Sequence, residues 1–282
     1  MLLSLAGALA LAGCDDSVSS TVAEISSGSP PAASAQVERL IEFSTPLDPN
    51  LTSDHHDKQL HAWRALLAEL KSASPAVGRS ALATFEELEA KAEPAPMQVR
   101  VNLLTVAAHA ATEETQPLLE KLLLEYGHRI DIRTEATFLL GEVAPSRAVE
   151  LIEPFLRKTR NASTMPDDEF LLKGYVTGCT GAGVDPVPVL VDMATNIFKQ
   201  DAARHLAIKE LGKHPTLQSQ QALRAILVES TGNAYLRRKA AQAIRDVFPR
   251  EEACAIFELI SSMEADNSFL IFLADMIEQN CN

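Results

Sequence analysis

The sequence predicts an all-α fold, an α-solenoid of about six helix pairs, and two observations lead to that prediction. Segments with apolar residues at i, i+3, i+4 and i+7 recur along the chain, which is the pattern of helices buried on one face. No stretch shows the period-2 alternation of β-branched residues that is typical of strands. Such helices bury their apolar faces against one another, as stacked helix pairs do.

An arginine near the start of an apolar-periodic helix marks the first helix of several pairs. The spacings between these arginines are 33, 71 and 33 residues, and 71 is about two periods. Residues 169–176 (EFLLKGYV) occupy the missing place without an arginine, and further copies lie at 61–71 and 269–277. An irregular helical bundle is the alternative that this pattern leaves open. The marking arginines are Arg100, Arg133, Arg204 and Arg237.

The second helix of each pair is predicted between these segments, over residues 117–126, 147–156, 217–229 and 250–263. Prolines lie at the joints, where they end one helix and suit the first turn of the next. They are Pro94, Pro96, Pro145, Pro166, Pro186, Pro215 and Pro249.

Residues 133–156 (RTEATFLLGEVAPSRAVELIEPFL) resemble HEAT-like repeats, with an arginine, a small residue, Leu-Gly near the end of the first helix and a proline-containing turn. This resemblance covers most of residues 55–282 and implies that the arginine is a structural residue of the stacked repeats. From its chemistry, we expect the arginine stem to cover apolar surface while its head stays in water or reaches a carboxylate. The tetratricopeptide pattern does not fit, because its Trp, Gly-Tyr and Pro positions are missing.

The first residues, MLLSLAGALALAGC, are apolar and too few to cross a bilayer as a helix, but they fit the apolar part of a secretory signal. Leu11-Ala12-Gly13-Cys14 resembles the lipobox of bacterial lipoproteins, which implies cleavage before Cys14 and lipidation of its thiol. The positive charge that opens such signals is missing, which departs from the pattern. We therefore expect a protein anchored by lipid in the bacterial cell envelope and facing the periplasm; the inner and outer membranes both remain open.

Three domains follow from these patterns. Residues 1–13 are predicted to be the signal peptide. Residues 14–36 are rich in Ser, Pro, Ala and Gly, which predicts a lipidated cysteine followed by a flexible, disordered tether. Residues 37–282 are then predicted to form a single helical-repeat domain.

The net charge of −13 argues against nucleic acid as a partner, because binding to phosphates depends largely on Lys and Arg. It also provides no polybasic patch for anionic lipids, so membrane attachment is expected through the lipid on Cys14. An acidic chain favours a basic or polar protein partner in the envelope.

The remaining cysteines leave two interpretations open. If the helices at 251–263 and 268–280 form a hairpin, the chain end brings Cys281 towards Cys254, and a disulfide between them is one expectation; free thiols are the other. Cys179 lies in a Gly-rich segment, residues 177–183, that is predicted to be a turn between helices with an exposed thiol.

Three histidines are weak metal-ligand candidates: His55, His56 and His61. No two of them have the i, i+4 spacing that places both on one helix face, so the sequence predicts neither a metal site nor a cofactor. Because no catalytic motif stands out, the predicted function is a protein-interaction scaffold without enzymatic activity. The alternatives are an enzyme or chaperone-like modifier of envelope components, as HEAT-like bilin lyases suggest, and a solenoid that binds a small molecule or lipid.

Overall fold

The computed structural model describes residues 30–44, 61, 64–91, 93, 95–125, 130–158, 168–229 and 233–281. Every regular element within these ranges is an α-helix, which confirms the predicted all-α class. The chain divides into two compact units, Met1–Thr115 and Gln116–Asn282, whereas the sequence predicts one domain over residues 37–282. None of the described helices is long and apolar enough to cross a membrane.

The first unit contains three labelled helices, each of which packs against the other two. These are α1 (Pro30–Ser44), α2 (Pro75–Glu89) and α3 (Met97–Ala110). Residues 64–71 are also helical, as the sequence predicts. Helix α4 (Thr112–Leu124) contains the boundary between the units.

Helix α1 begins at Pro30, so residues 30–36 are helical although their composition predicts a disordered tether. The reason is an apolar face that composition does not reveal: Ala33, Val37 and Leu40 follow i, i+4, i+7 spacing and are buried. Near the end of α1, the amide of Asn102 donates a hydrogen bond of 2.7 Å to the hydroxyl oxygen of Ser44. The expected tether therefore ends earlier than residue 36.

The second unit continues with helices that the sequence predicts in pairs. Their bounds are α5 (Ile130–Val143), α6 (Pro145–Arg157), α7 (Asp168–Ala182), α8 (Val187–Thr195), α9 (Asp201–Leu211), α10 (Leu217–Glu229), α11 (Ala234–Val247), α12 (Arg250–Met263) and α13 (Asn267–Cys281). The predicted second helices over 217–229 and 250–263 agree with α10 and α12.

These helices form two layers. Helices α5, α7, α9, α11 and α13 contact one another in succession, and α6, α8 and α10 do the same. Neighbours along the chain, such as α5 and α6 or α11 and α12, connect the layers. Stacked pairs in two layers are the arrangement of an α-solenoid, which confirms the predicted architecture for this unit.

The repeat arginines bind the ends of preceding helices. Arg133, Arg204 and Arg237 each donate to a backbone carbonyl ten residues earlier: Leu123 (3.2 Å), Ala194 (3.2 Å) and Leu227 (2.9 Å). These carbonyls lie in the last turns of α4, α8 and α10, where backbone acceptors lack partners within the helix and attract positive charge.

The heads of these arginines are buried, so of the two expectations, water or a carboxylate, the first is wrong and the second holds for Arg100 and Arg237. None of the four repeat arginines is more than 7% exposed. Arg100 in the first unit contacts the carboxylate of Glu89 at the end of α2, and Arg237 contacts Glu264. A guanidinium is desolvated here because carbonyls and carboxylates replace its water.

The repeat without an arginine has a different cation at its helix end. Lys199, in the loop between α8 and α9, is buried and donates a hydrogen bond of 2.9 Å to the carbonyl of Lys158, just after α6. A lysine from later in the chain thus contacts the end of α6, where α7 supplies no arginine.

The Gly-rich segment is helical rather than a turn, since α7 continues to Ala182 and Gly183 alone adopts a positive φ, of 67°. The glycines of α7 permit close helix contact. A Cβ added at Gly174 would lie 2.5 Å from Cγ2 and 2.7 Å from the carbonyl oxygen of Thr137 on α5. Within the segment itself, a Cβ added at Gly181 would lie 2.6 Å from Cγ of Pro145. The turn prediction fails because glycine serves packing in this segment and backbone freedom only at its last residue.

A disulfide joins Cys254 on α12 to Cys281 at the end of α13, with Cα atoms 5.7 Å apart. It closes a loop over a sequence separation of 27 residues around the last hairpin. We expect the paired substitutions Cys254→Ser and Cys281→Ser to lower the free energy of unfolding by about 2–4 kcal/mol, because the unfolded chain gains conformational freedom. Thermal melting followed by circular dichroism, with and without reductant, measures this loss.

The doubly substituted chain is also the control for the reductant. Reductant should lower the melting temperature of the wild type to that of the double variant and leave the variant unchanged. A wild-type melting curve that does not respond to reductant would contradict the prediction.

Candidate functional site

Most of the candidate metal ligands cannot be placed in the structure. Cys14, His55 and His56 lie outside the described residues, and His61 is an exposed helical residue. Within the described part of the chain, no three His, Cys, Asp or Glu side chains are grouped so that they could hold a metal ion.

Cys179 is not the exposed thiol that the sequence predicts. It is 1% exposed within α7, and burial raises the pKa of its thiol. The neighbouring phenol of Tyr175 is buried as well and contacts the carboxylate of Glu153 at 3.4 Å. Because a thiol must ionise to act as a nucleophile, Cys179 is a core residue rather than a catalytic one.

A groove between α9 and α11 gathers polar and basic side chains of the second unit. Helix α9 contributes His205 and Lys209, which are four residues apart and so share one face. Helix α11 contributes Lys239, Gln242 and Asp246 at i, i+3 and i+7, which again is one face. Since the two helices pack side by side, the faces together form a cavity of about 410 Å³, with Ala243 and Arg245 also in its lining.

Tyr235 contacts two of the residues that line this groove, His205 and Lys239. Its hydroxyl group and Nδ1 of His205 are 2.7 Å apart and share a hydrogen bond whose direction depends on the imidazole tautomer. The two rings meet edge to face with centroids 5.1 Å apart. The ammonium of Lys239 lies 5.5 Å from the centroid of the Tyr235 ring and donates to Oε1 of Gln242 at 3.2 Å.

The groove carries unneutralised positive charge. Among the described residues, neither Lys209 nor Lys239 forms an ion pair with a carboxylate, while Arg245 pairs with Asp246 at 2.9 Å. Burial, followed by the positive charges of Lys239 and Lys209, lowers the pKa of His205, and Glu169 on α7 acts weakly in the opposite direction. His205 is therefore neutral at pH 7, and the lysines provide the charge.

We expect Lys239→Gln to raise the pKa of His205, because the substitution removes a nearby positive charge that disfavours the imidazolium ion. An NMR titration of the His205 ring protons measures the shift. Lys213→Gln is the control, since that ammonium pairs with Glu210 at 2.7 Å and is not among the charges that act on His205. An equal pKa for His205 in the wild type and in Lys239→Gln would show that Lys239 does not influence it.

This groove was missed at the level of sequence, where His205 is one of several scattered histidines. The repeat alignment contains a usable signal: Arg204 and Arg237 occupy equivalent places on α9 and α11 and point to the helix ends. The residues next to them, His205 and Arg238, therefore lie on equivalent neighbouring faces, away from the buried arginines. The alignment cannot show which of these faces meet across the two helices.

Comparison with known proteins gives no family for this chain. No family profile matches the chain, and no curated protein matches its sequence. Among solved structures, the chain is similar to human deoxyhypusine hydroxylase in complex with glycerol, with a TM-score of 0.34 and 14% identity. The similarity covers 88% of this chain and 98% of that protein.

The prediction that the chain is not an enzyme is corrected: the similar solved protein is a hydroxylase, and the prediction rested on sequence motifs alone. The prediction was drawn from the lack of a contiguous catalytic motif. In a repeat fold, side chains far apart in sequence meet across adjacent helices, as His205 and Tyr235 do, so a motif search does not exclude activity.

Proposed function

We propose that this chain is a helical-repeat interaction protein of the bacterial cell envelope, anchored by lipid on Cys14, that binds a partner protein in the groove between α9 and α11. The observation that supports it best is the pair of lysines in that groove without a carboxylate partner among the described residues. Stacked helix pairs present such grooves on rigid elements, and binding sites commonly use them.

The charge of the groove differs from that of the chain as a whole. The chain has 38 acidic and 25 basic residues other than histidine, so carboxylates outnumber cations over the chain as a whole. Four other lysines of the described chain do pair with a glutamate: Lys91, Lys121, Lys173 and Lys213. The groove places two lysines without a carboxylate partner in the lining of one cavity, and a bound partner would neutralise their charge.

Site-specific photocrosslinking in native membranes tests the interaction. A photoreactive amino acid replaces Gln242 in the groove or, as the matched control, Gln221, which is exposed on α10. We expect an identified protein to crosslink from position 242 and not from position 221. Equal crosslinking from both positions, or none from 242, would overturn the assignment of the groove as the interaction surface.

Metabolic labelling with a palmitate analogue tests the anchor separately. The wild-type chain should carry the label and partition with membranes, whereas Cys14→Ala should lose both properties, because the thiol is the point of lipid attachment. Labelling of Cys14→Ala at the wild-type level would remove the lipoprotein part of the proposal.

A further inference from the structure

We propose that the groove between α9 and α11 is a carboxylate-binding site for an acidic polypeptide segment, with Lys209 and Lys239 as its charged ligands. This inference rests on the proposed function and names the chemistry of its partner. The net charge of the chain alone favours a basic partner. The groove favours an acidic one, because its local charge is positive whereas that of the chain is negative.

The lysines are arranged to accept anions. Lys209 is exposed on α9, and Lys239 is held on α11 by two uncharged groups, the Tyr235 ring and the Gln242 side-chain oxygen. Neither contact neutralises the ammonium of Lys239. An incoming carboxylate therefore forms charge-assisted hydrogen bonds without first breaking an ion pair of the protein.

The shape and charge of the groove favour a peptide over a nucleic acid. A cavity of about 410 Å³ has room for a few acidic side chains and lies in the usual size range of ligand pockets. Asp246 also lines the cavity, and its ion pair with Arg245 offsets its charge. The net charge of −13 on the chain repels a long polyanion, while a short acidic segment contacts only the groove.

Binding is coupled to a proton on His205. The groups that act on this imidazole are Tyr235 and Lys239 on α11, Lys209 on its own helix, and Glu169 on α7, which is itself paired with Lys173 at 2.9 Å. A carboxylate in the groove offsets the two lysines, so it raises the lowered pKa of His205. Binding then takes up a proton, and affinity increases as pH falls towards the lowered pKa of His205, which lies below the ordinary 6.5 because of burial and the two lysines.

Fluorescence anisotropy with the full chain in detergent tests the site, using a labelled octaglutamate peptide and octaglutamine as the uncharged control. We expect octaglutamate to bind, and Lys209→Gln and Lys239→Gln each to weaken it by about three- to five-fold. Lys121→Gln changes the net charge equally at an exposed site on α4 and should leave binding unchanged. Affinity should be higher at about pH 6 than at about pH 7.5 and should fall with added salt.

Four outcomes would overturn the site. They are no binding of octaglutamate, equal weakening by Lys121→Gln, tighter binding of single-stranded nucleic acid than of octaglutamate, and displacement of the peptide by inorganic phosphate at a similar concentration, which would indicate a small-anion site. Circular dichroism of each variant shows that it is folded. If octaglutamate does not bind while position 242 still crosslinks an identified protein, the carboxylate site is wrong and the proposed function stands. If octaglutamate binds but position 242 crosslinks no protein, the groove binds carboxylates and the proposed interaction surface is wrong.

Discussion

Gly174→Ala is expected to lower the free energy of unfolding by about 2 kcal/mol or more. In an exposed helix this substitution would stabilise by up to about 1 kcal/mol, since alanine is the better helix former. At Gly174 the added Cβ would lie 2.7 Å from the backbone carbonyl oxygen of Thr137, and no rotamer change relieves a backbone contact. Helices α5 and α7 must therefore separate, and the packing around them loosens. Urea denaturation followed by circular dichroism measures the loss.

Two further substitutions test whether close helix contact is the cause. Gly178→Ala places its Cβ 3.1 Å from Cβ of Ala148 on α6, a milder contact that should cost less than Gly174→Ala. Thr137→Ser keeps the hydroxyl group that donates to the Arg133 carbonyl but removes the Cγ2 atom 2.5 Å from the added Cβ. Adding Thr137→Ser to Gly174→Ala should therefore recover part of the stability that Gly174→Ala loses. A Gly174→Ala variant as stable as the wild type would show that the α5–α7 contact adjusts without cost.

The helices of the second unit were predictable because each buries one face, and burial of that kind is visible as apolar spacing. Helices α10 and α12 agree with their predicted bounds for that reason. Two predictions that failed, the tether over residues 30–36 and the turn over 177–183, were both drawn from amino-acid composition. Small residues such as Ala33 and Gly178 are typical of flexible segments, yet here they lie in helices and let neighbouring elements approach. Only the position of the neighbour distinguishes the two roles.

The repeat arginines show what sequence can and cannot tell about a side chain. Their spacing correctly predicts equivalent places in successive repeats, but not that the guanidinium is buried against a helix end. That contact joins residues only ten apart, across the turn between two helices, and depends on the angle at which the helices meet. The repeat alignment places His205 next to a buried arginine, but it does not predict the groove of His205 and Lys239, which exists only where two faces pack side by side.

Arg237→Met is expected to lower the free energy of unfolding by about 3 kcal/mol, because it removes one partner of a buried ion pair. The guanidinium of Arg237 contacts the carboxylate of Glu264, donates to the Leu227 carbonyl at 2.9 Å and stacks 4.0 Å from the Phe269 ring centroid. Methionine fills the space but removes the donor to Oε2 of Glu264 and to the Leu227 carbonyl, while Oε1 of Glu264 keeps its bonds from the backbone N–H groups of Ala265 and Asp266. Chemical denaturation measures the loss, and Arg238→Met on the same helix is the control with a smaller expected effect.

The pH dependence of this loss identifies the ion pair as its source. The hydrogen bond from Arg237 holds the pKa of Glu264 below its ordinary value of 4.5. The pair therefore contributes stability above about pH 4.5 and loses that contribution as pH falls through the lowered pKa of the folded state. The difference in the free energy of unfolding between wild type and Arg237→Met should shrink as pH falls. When both chains also carry Glu264→Gln, most of the pH dependence of that difference should disappear. A difference that stays constant with pH would assign the effect to the Leu227 carbonyl and the Phe269 ring instead.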